Sequence, residues 1–176
     1  MSTEIVQPFG SLQTVRIGLS AEVRHRSVRA LNRLLAHSMA LRDLCKKAHW
    51  QTSGATFYGL HLMFDKHYEQ QLEIIDSLAE RVQLLGGVAL ATAHEVTQES
   101  RLARVNSGAE TPMQQLHGLL DAYELLLTEA RPLARAAAES GDDGTNDLIV
   151  GDVIRGNELQ AWFVGEHLAG TGTREA

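Results

Sequence analysis

Residues 56–87 read TFYGLHLMFDKHYEQQLEIIDSLAERVQLLGG. Phe57, Leu60, Phe64, Leu72, Ile75, Leu78 and Val82 recur at three- and four-residue steps, the period of an amphipathic helix. Gly86-Gly87 closes the run, as glycine does just past a helix end. The spacing therefore predicts a helix from about Thr56 to Leu85. No alternating strand pattern competes with it.

The same reading extends outward. Val28, Leu31, Leu35, Met39 and Leu44 mark a first helix running to about Trp50, broken by Thr52-Ser53-Gly54. After Gly87 a longer connection holds a short helix near His94 to Arg104. A third long helix opens at Thr111-Pro112, a capping residue followed by proline at the first helical position. It runs to about Glu139, and Pro132 is expected to bend it. The stretch Ser140-Gly141-Asp142-Asp143-Gly144 separates it from a fourth helix over roughly Asn146 to Leu168. The expected class is all-α: a four-helix bundle with a short helix in its long middle crossover. Residues 1–20, aperiodic and carrying Pro8 and Gly10, read as an N-terminal tail. Residues 21–170 form the one domain, and 171–176 a short C-terminal tail.

Composition narrows the function. The chain has 176 residues, 44% of them hydrophobic, enough for a single well-buried core. The first thirty residues hold no sustained apolar run, and no stretch approaches the roughly 20 apolar residues of a membrane helix. The expectation is a soluble, cytoplasmic protein with no membrane partner. Net charge is −6 and only Lys46, Lys47 and Lys66 are lysines, which argues against electrostatic binding of nucleic acid or acidic membranes. The single cysteine, Cys45, excludes an intrachain disulfide and a thiolate zinc site; it reads as a small buried hydrophobe.

The chemistry lies on the second helix. His61 and Asp65 share one face at i, i+4 spacing, and so do Asp76 and Glu80. Asp65 and Asp76 differ by only about 20° around the axis but are about 16 Å apart along it. No single ion in one chain can touch both pairs. Two antiparallel copies of the helix, related by a two-fold axis near Gln70 and Gln71, would set His61 and Asp65 of each opposite Asp76 and Glu80 of the other. His49 at the end of the first helix could add an imidazole, and Trp50 beside it could cover the site or quench reactive intermediates. Imidazole and carboxylate without thiolate suit iron, zinc or manganese, and bridging carboxylates favour two irons. The bland alternative is a solvated face, with Asp76 or Glu80 paired to an arginine such as Arg81.

The intrasubunit di-iron pattern needs Glu-x-x-His on two helices. Only Glu22-Val23-Arg24-His25 matches, at the wrong end of the first helix. His37, His67, His94, His117 and His167 read as packing or surface histidines.

Taken together, His49-Trp50, HLMFD at 61–65, DSLAER at 76–81, the LGG ending at Gly87, GDDGTNDLIVGDV at 141–153 and AWFVGEHL at 161–168 resemble the signature of the Dps family. These are the DNA-protection-during-starvation miniferritins of the ferritin-like superfamily. The resemblance spans about His25 to Leu168. It implies a ferritin-like bundle assembled from dimers into a hollow dodecamer, with inter-subunit di-iron ferroxidase centres. The ligands would be His49, His61 and Asp65 of one subunit with Asp76 and Glu80 of the next, and Trp50 would lie beside them. Fe(II) and hydrogen peroxide, or dioxygen, would be the substrates, with zinc a possible competitor. Asp142, Asp143 and Asp147 resemble the acidic residues of three-fold pores that admit iron, and the bland reading of each is a solvated acidic loop. The rival readings are a DNA-binding nucleoid protein with incidental metal binding, carried by Arg26, Arg29 and Arg33, and a purely structural bundle.

Overall fold

The computed structural model describes residues 4–102 and 106–169. Helix α1 spans Ala21–Gln51, α2 Phe57–Leu84, α3 Ala93–Glu99 and α4 Pro112–Glu139. The last rod begins with α5, Asp143–Leu148, passes through a π-helical turn at Ile149–Ile154 and ends as α6, Arg155–Leu168. There is no strand among the described residues. This is the expected four-helix bundle, with α3 as the short helix of the crossover.

The helix ends follow local chemistry. Ser20 caps α1 by accepting from the Val23 amide. Thr92 with Glu95, and Thr111 with Gln114, form reciprocal capping boxes at α3 and α4, each satisfying two amides that the helix itself leaves unpaired. Helix α4 continues through Pro132. Helix α2 stops at Gly86, whose φ of 83° is open to glycine at no steric cost. A Cβ on Gly86 would sit 2.6 Å from the Gln13 carbonyl, and one on Gly87 only 2.7 Å from Val28. The glycine pair therefore terminates the helix and also admits its neighbours.

Three expectations change. The segment read as an N-terminal tail is a strap. Gln7 Nε2 and the Gln13 amide both donate to the Gly86 carbonyl, at 3.0 and 2.8 Å, and Arg24 donates to the carbonyls of Gln13 and Leu85. The fourth helix starts at Asp143, three residues earlier than read, because Asp142 is its cap: the side chain accepts from the Thr145 amide. One extra residue per turn then produces the π stretch, which hydrophobic periodicity does not announce. The crossover helix ends at Glu99. Its expected far end at Arg104, like the expected C-terminal tail at 171–176, lies outside the described residues.

The core is apolar and continuous. Leu31, Leu34, Leu35 and Leu41 of α1 meet Phe64 and Leu78 of α2, Tyr123 and Leu126 of α4 and Ile149 of the π turn, all fully buried. Burying one such side chain contributes about 2 kcal/mol. Cys45 lies among them, its thiol pushed up to about 12 by burial, so it acts as the small hydrophobe expected. Two polar elements are set into this core. Gln71 of α2 donates to Asn157 at 2.7 Å and Gln160 at 2.9 Å, tying α2 to α6. His67 pairs with the Tyr123 hydroxyl at 3.0 Å.

Burial holds His67 neutral and lowers its pKa to about 4. The unfolded chain takes up that proton below about pH 6.5 and the folded chain does not. His67 thus favours the folded state fully above pH 6.5, and that contribution drains away as pH falls toward 4. Denaturant titrations should show about 3 kcal/mol lost over this window on its account. In His67→Gln the pH dependence should be correspondingly flatter.

Candidate metal half-sites on the second helix

Helices α1 and α2 pack antiparallel across the Thr52–Thr56 turn, so the end of α1 lies beside the start of α2. That brings His49 and His61 together with their rings stacked at a centroid distance of 3.7 Å. Each Nδ1 lies 2.9 Å from the other residue's backbone carbonyl oxygen. A carbonyl only accepts, so both Nδ1 atoms carry the proton and both Nε2 atoms keep free lone pairs. This is the tautomer a metal-binding imidazole requires, fixed by a second hydrogen bond at the other ring nitrogen. Phe57 packs against His61 at 5.0 Å.

Asp65 stands one turn beyond His61. Its carboxylate accepts from Lys46 Nζ at 2.5 Å and lies 3.8 Å from His49 Nδ1. The Lys46 hydrogen bond holds the carboxyl below its usual range and outweighs a small opposing effect of burial. The ammonium also sits over the Tyr68 ring at 4.5 Å. In the sequence reading Lys46 counts among the lysines but has no place at the site. The signal was available, since it is one of three lysines and stands one helical turn before His49.

Asp76 and Glu80 are exposed on the same stripe of α2, about 16 Å along the axis from the first pair. Among the described residues neither carboxylate has a side-chain ion-pair or hydrogen-bond partner. Arg81, the arginine that could have neutralised them, turns away to Asp142. Two leucines of α2 are exposed near these pairs: Leu72, on the stripe between them, is 39% exposed, and Leu62, beside His61, is 49%. Trp50 is 72% exposed. Among the described residues of one subunit, no group of three His, Cys, Asp or Glu side chains is arranged to hold a metal ion. The imidazoles and carboxylates present are the right donors for iron, but one chain carries them as two separated halves.

The expected pore residues divide. Asp142 is buried, with hydrogen bonds from Ser27 Oγ at 2.5 Å, Arg81 at 2.5 Å and the Thr145 amide at 3.2 Å. Burial alone would raise its pKa, yet these donors hold it below the usual carboxylate range. Its oxygens serve the α5 cap and the Arg81 ion pair, so Asp142 leaves the set that could line a pore. Asp143 and Asp147 remain exposed. Of the remaining histidines, His25 reaches the Gly10 carbonyl at 3.1 Å, which settles the isolated Glu-x-x-His as a strap contact. His37 and His67 are buried packing residues. Among the described residues no helix is long and apolar enough to cross a membrane.

Comparison with known proteins agrees with this architecture. Residues 28–172 match the ferritin-like domain family. The chain is similar to DpsC from Streptomyces coelicolor, at 48% identity and a TM-score of 0.93 over 94% of this chain and 96% of that one. It is similar to a Dps protein from Vibrio cholerae, described as a member of the ferritin-like diiron-carboxylate superfamily, at 28% identity and a TM-score of 0.83 over 90% of this chain and 98% of that one. It also resembles DNA protection during starvation protein 2 of Bacillus anthracis, 29% identical over 78% of this chain and 92% of that protein. With its helix order, its crossover helix and its paired histidines at the α1–α2 turn, the chain belongs to the Dps family of ferritin-like proteins.

Proposed function

We propose that two copies of this chain join along the α2 stripe and complete two ferroxidase sites. Each site would be built from His49, His61 and Asp65 of one subunit with Asp76 and Glu80 of the partner subunit. The observation that carries this reading is the division of ligands on one helix face. Two imidazoles with free Nε2 atoms and a carboxylate stand at one end. Two unpaired carboxylates stand at the other, with the exposed leucines Leu62 and Leu72 alongside. An isologous two-fold contact buries the leucines and brings opposite ends together. Membership in the Dps family supports iron storage and DNA protection as the general role.

Iron is the substrate here. Its oxidation by hydrogen peroxide is a matter of electron counting. One Fe(II) reducing peroxide releases a hydroxyl radical. Two Fe(II) ions held together supply two electrons, and with two protons the peroxide becomes two waters and both ions become Fe(III). The carboxylates favour the ferric product because hard oxygen ligands and negative charge bind the more highly charged ion better. His49 and His61 are held rigidly by their reciprocal Nδ1 bonds, so their Nε2 atoms need no reorientation on binding iron. Lys46 keeps Asp65 ionised and must yield its place when iron reaches that oxygen. The ferric product would be stored as mineral inside a dodecameric shell in the cytoplasm, with Asp143 and Asp147 at the acidic turns through which cations pass. Zinc would compete for the same donors.

Subunit mixing tests the shared site. A His61→Ala, Asp65→Ala variant and an Asp76→Ala, Glu80→Ala variant should each lose Fe(II) oxidation as homo-oligomers, by at least about a hundredfold. Refolded together, each mixed dimer regains one intact site, made by His61 and Asp65 of the second variant facing Asp76 and Glu80 of the first. Iron-dependent absorbance should recover to about half the native rate per mixed dimer, as one site of two predicts. No recovery in demonstrated mixed dimers overturns the cross-subunit site.

Protection of DNA on this reading works by removing iron and peroxide. Duplex binding draws on Lys and Arg neutralising phosphates. The chain carries −6, and the strap before Arg24 holds only Arg16 as a basic residue. Of the stripe on α1, Arg26 is partly neutralised by Glu22 at 3.7 Å. A gel shift should therefore be absent at neutral pH and about 0.15 M salt, while protection against iron and peroxide cleavage persists. A salt-sensitive shift abolished by replacing Arg26, Arg29 and Arg33 would favour the nucleoid-binding alternative instead.

A further inference from the structure

His37 lies midway along α1, and its side chain is fully buried. It is a node where three elements meet. Its Nε2 is 3.2 Å from a Glu129 carboxylate oxygen on α4. Its Nδ1 accepts from the Arg101 backbone amide at 3.4 Å and lies 3.3 Å from Ser100 Oγ, both in the crossover just past α3. Ser100 Oγ in turn accepts from the Leu102 amide, and the Arg101 guanidinium reaches the other Glu129 oxygen at 3.2 Å.

The tautomer follows from these partners. An amide N–H can only donate, so Nδ1 is an acceptor, and the ring's one proton sits on Nε2 and is donated to Glu129. The neutral ring satisfies both neighbours. The doubly protonated ring cannot, because its Nδ1–H would point at the Arg101 N–H and the acceptor that holds the crossover would be gone. The charged groups facing it are Glu129 from α4, which favours protonation, with Arg33 from α1 and Arg101 from the crossover, which oppose it. We propose that His37 is an acid-sensitive latch for the crossover: while neutral it fastens Ser100–Arg101 to α1 and α4, and on protonation it lets that segment go.

Further contacts define what the latch moves. Asn32 holds the start of the crossover, bonding the Val88 carbonyl and the Leu90 amide at 3.0 Å each. Near its far end the Asn106 carbonyl accepts from Lys47, the neighbour of the Asp65 partner Lys46. The latch thus lies between a fixed anchor and a contact adjoining the His49–His61 pair. Its release would loosen Ser100–Leu102 while leaving the bundle core packed. Burial is the largest influence on His37 and keeps it neutral at pH 7, with Glu129 acting in the opposite sense. The released ring returns to an ordinary solvent-exposed histidine, so acid favours the open segment.

Hydrogen exchange read by mass spectrometry on the intact oligomer tests this, with rates corrected for the intrinsic effect of pH. From about pH 7 to about pH 5, exchange in the peptide holding Ser100–Leu102 should accelerate about tenfold. A core peptide covering Leu60–Leu78 should accelerate far less. In His37→Gln, whose side chain does not titrate, the acceleration should vanish. Glu129→Gln removes the carboxylate that favours protonation of the latched ring, so the acceleration should keep its onset and continue to lower pH before levelling off. The proposal is overturned if the native crossover shows no acceleration, if the core accelerates equally, or if His37→Gln retains the native pH dependence. Should His37→Gln fail to fold, a Glu129→Gln profile that levels off at the same pH as the native one overturns it just as directly.

Discussion

The close antiparallel packing of α1 on α2 is the constraint from which the rest follows. At one end it is so tight that Gly87 admits no side chain, since a Cβ there would meet Val28 at 2.7 Å. At the other end it presses His49 and His61 into a stack and sets each ring's Nδ1 2.9 Å from the other residue's backbone carbonyl oxygen. Between them run the leucines and phenylalanine of the core. Because two long helices are fixed at both ends, the outward face of α2 is presented as one ridge. The chemistry of the protein is written along that ridge.

On the proposed reading, a ridge with ligands at two distant points cannot act alone, and the exposed leucines Leu62 and Leu72 on the same helix are costly to leave in water. Burying them against an identical ridge improves both conditions at once. Symmetry then provides what one chain lacks without any new residue. The same economy explains why Arg81 is turned inward to Asp142. An arginine left beside Asp76 and Glu80 would compete with any incoming cation, whereas at Asp142 it braces the start of the last rod. Lys46 stands in a different relation, holding Asp65 in place in the absence of metal at the cost of competing for its oxygen.

Much of this was legible in the sequence because it is governed by periodicity and by breakers. Helix limits at Thr111-Pro112 and Gly86-Gly87 follow from cap chemistry and from residues that only certain backbones accept. The paired spacing of His61 with Asp65 and Asp76 with Glu80 is likewise a property of one helix. What was not legible depends on contacts between distant segments or on backbone atoms. The strap at residues 7–13 binds through carbonyls and amides, which every residue carries, so its composition looked like a tail. Asp142 looked like its neighbours Asp143 and Asp147, and only the fold buries it against Ser27 and Arg81. The π turn at Ile149–Ile154 is a one-residue slip in hydrogen bonding within an otherwise helical pattern. Lys46 entered the site because α1 and α2 meet there, a fact that no single-helix pattern holds.

The central claim is that the metal ligands are shared across a two-fold axis. It is tested most directly by crystals of the assembled protein loaded anaerobically with Fe(II), with data collected on both sides of the iron absorption edge. Ligands shared across the axis predict anomalous peaks between subunits, roughly 2.0 to 2.3 Å from His61 Nε2 and from a carboxylate oxygen of Asp76 or Glu80 of the partner subunit. Peaks whose protein ligands all come from one chain, or an α2 ridge facing solvent in the assembled particle, would contradict it.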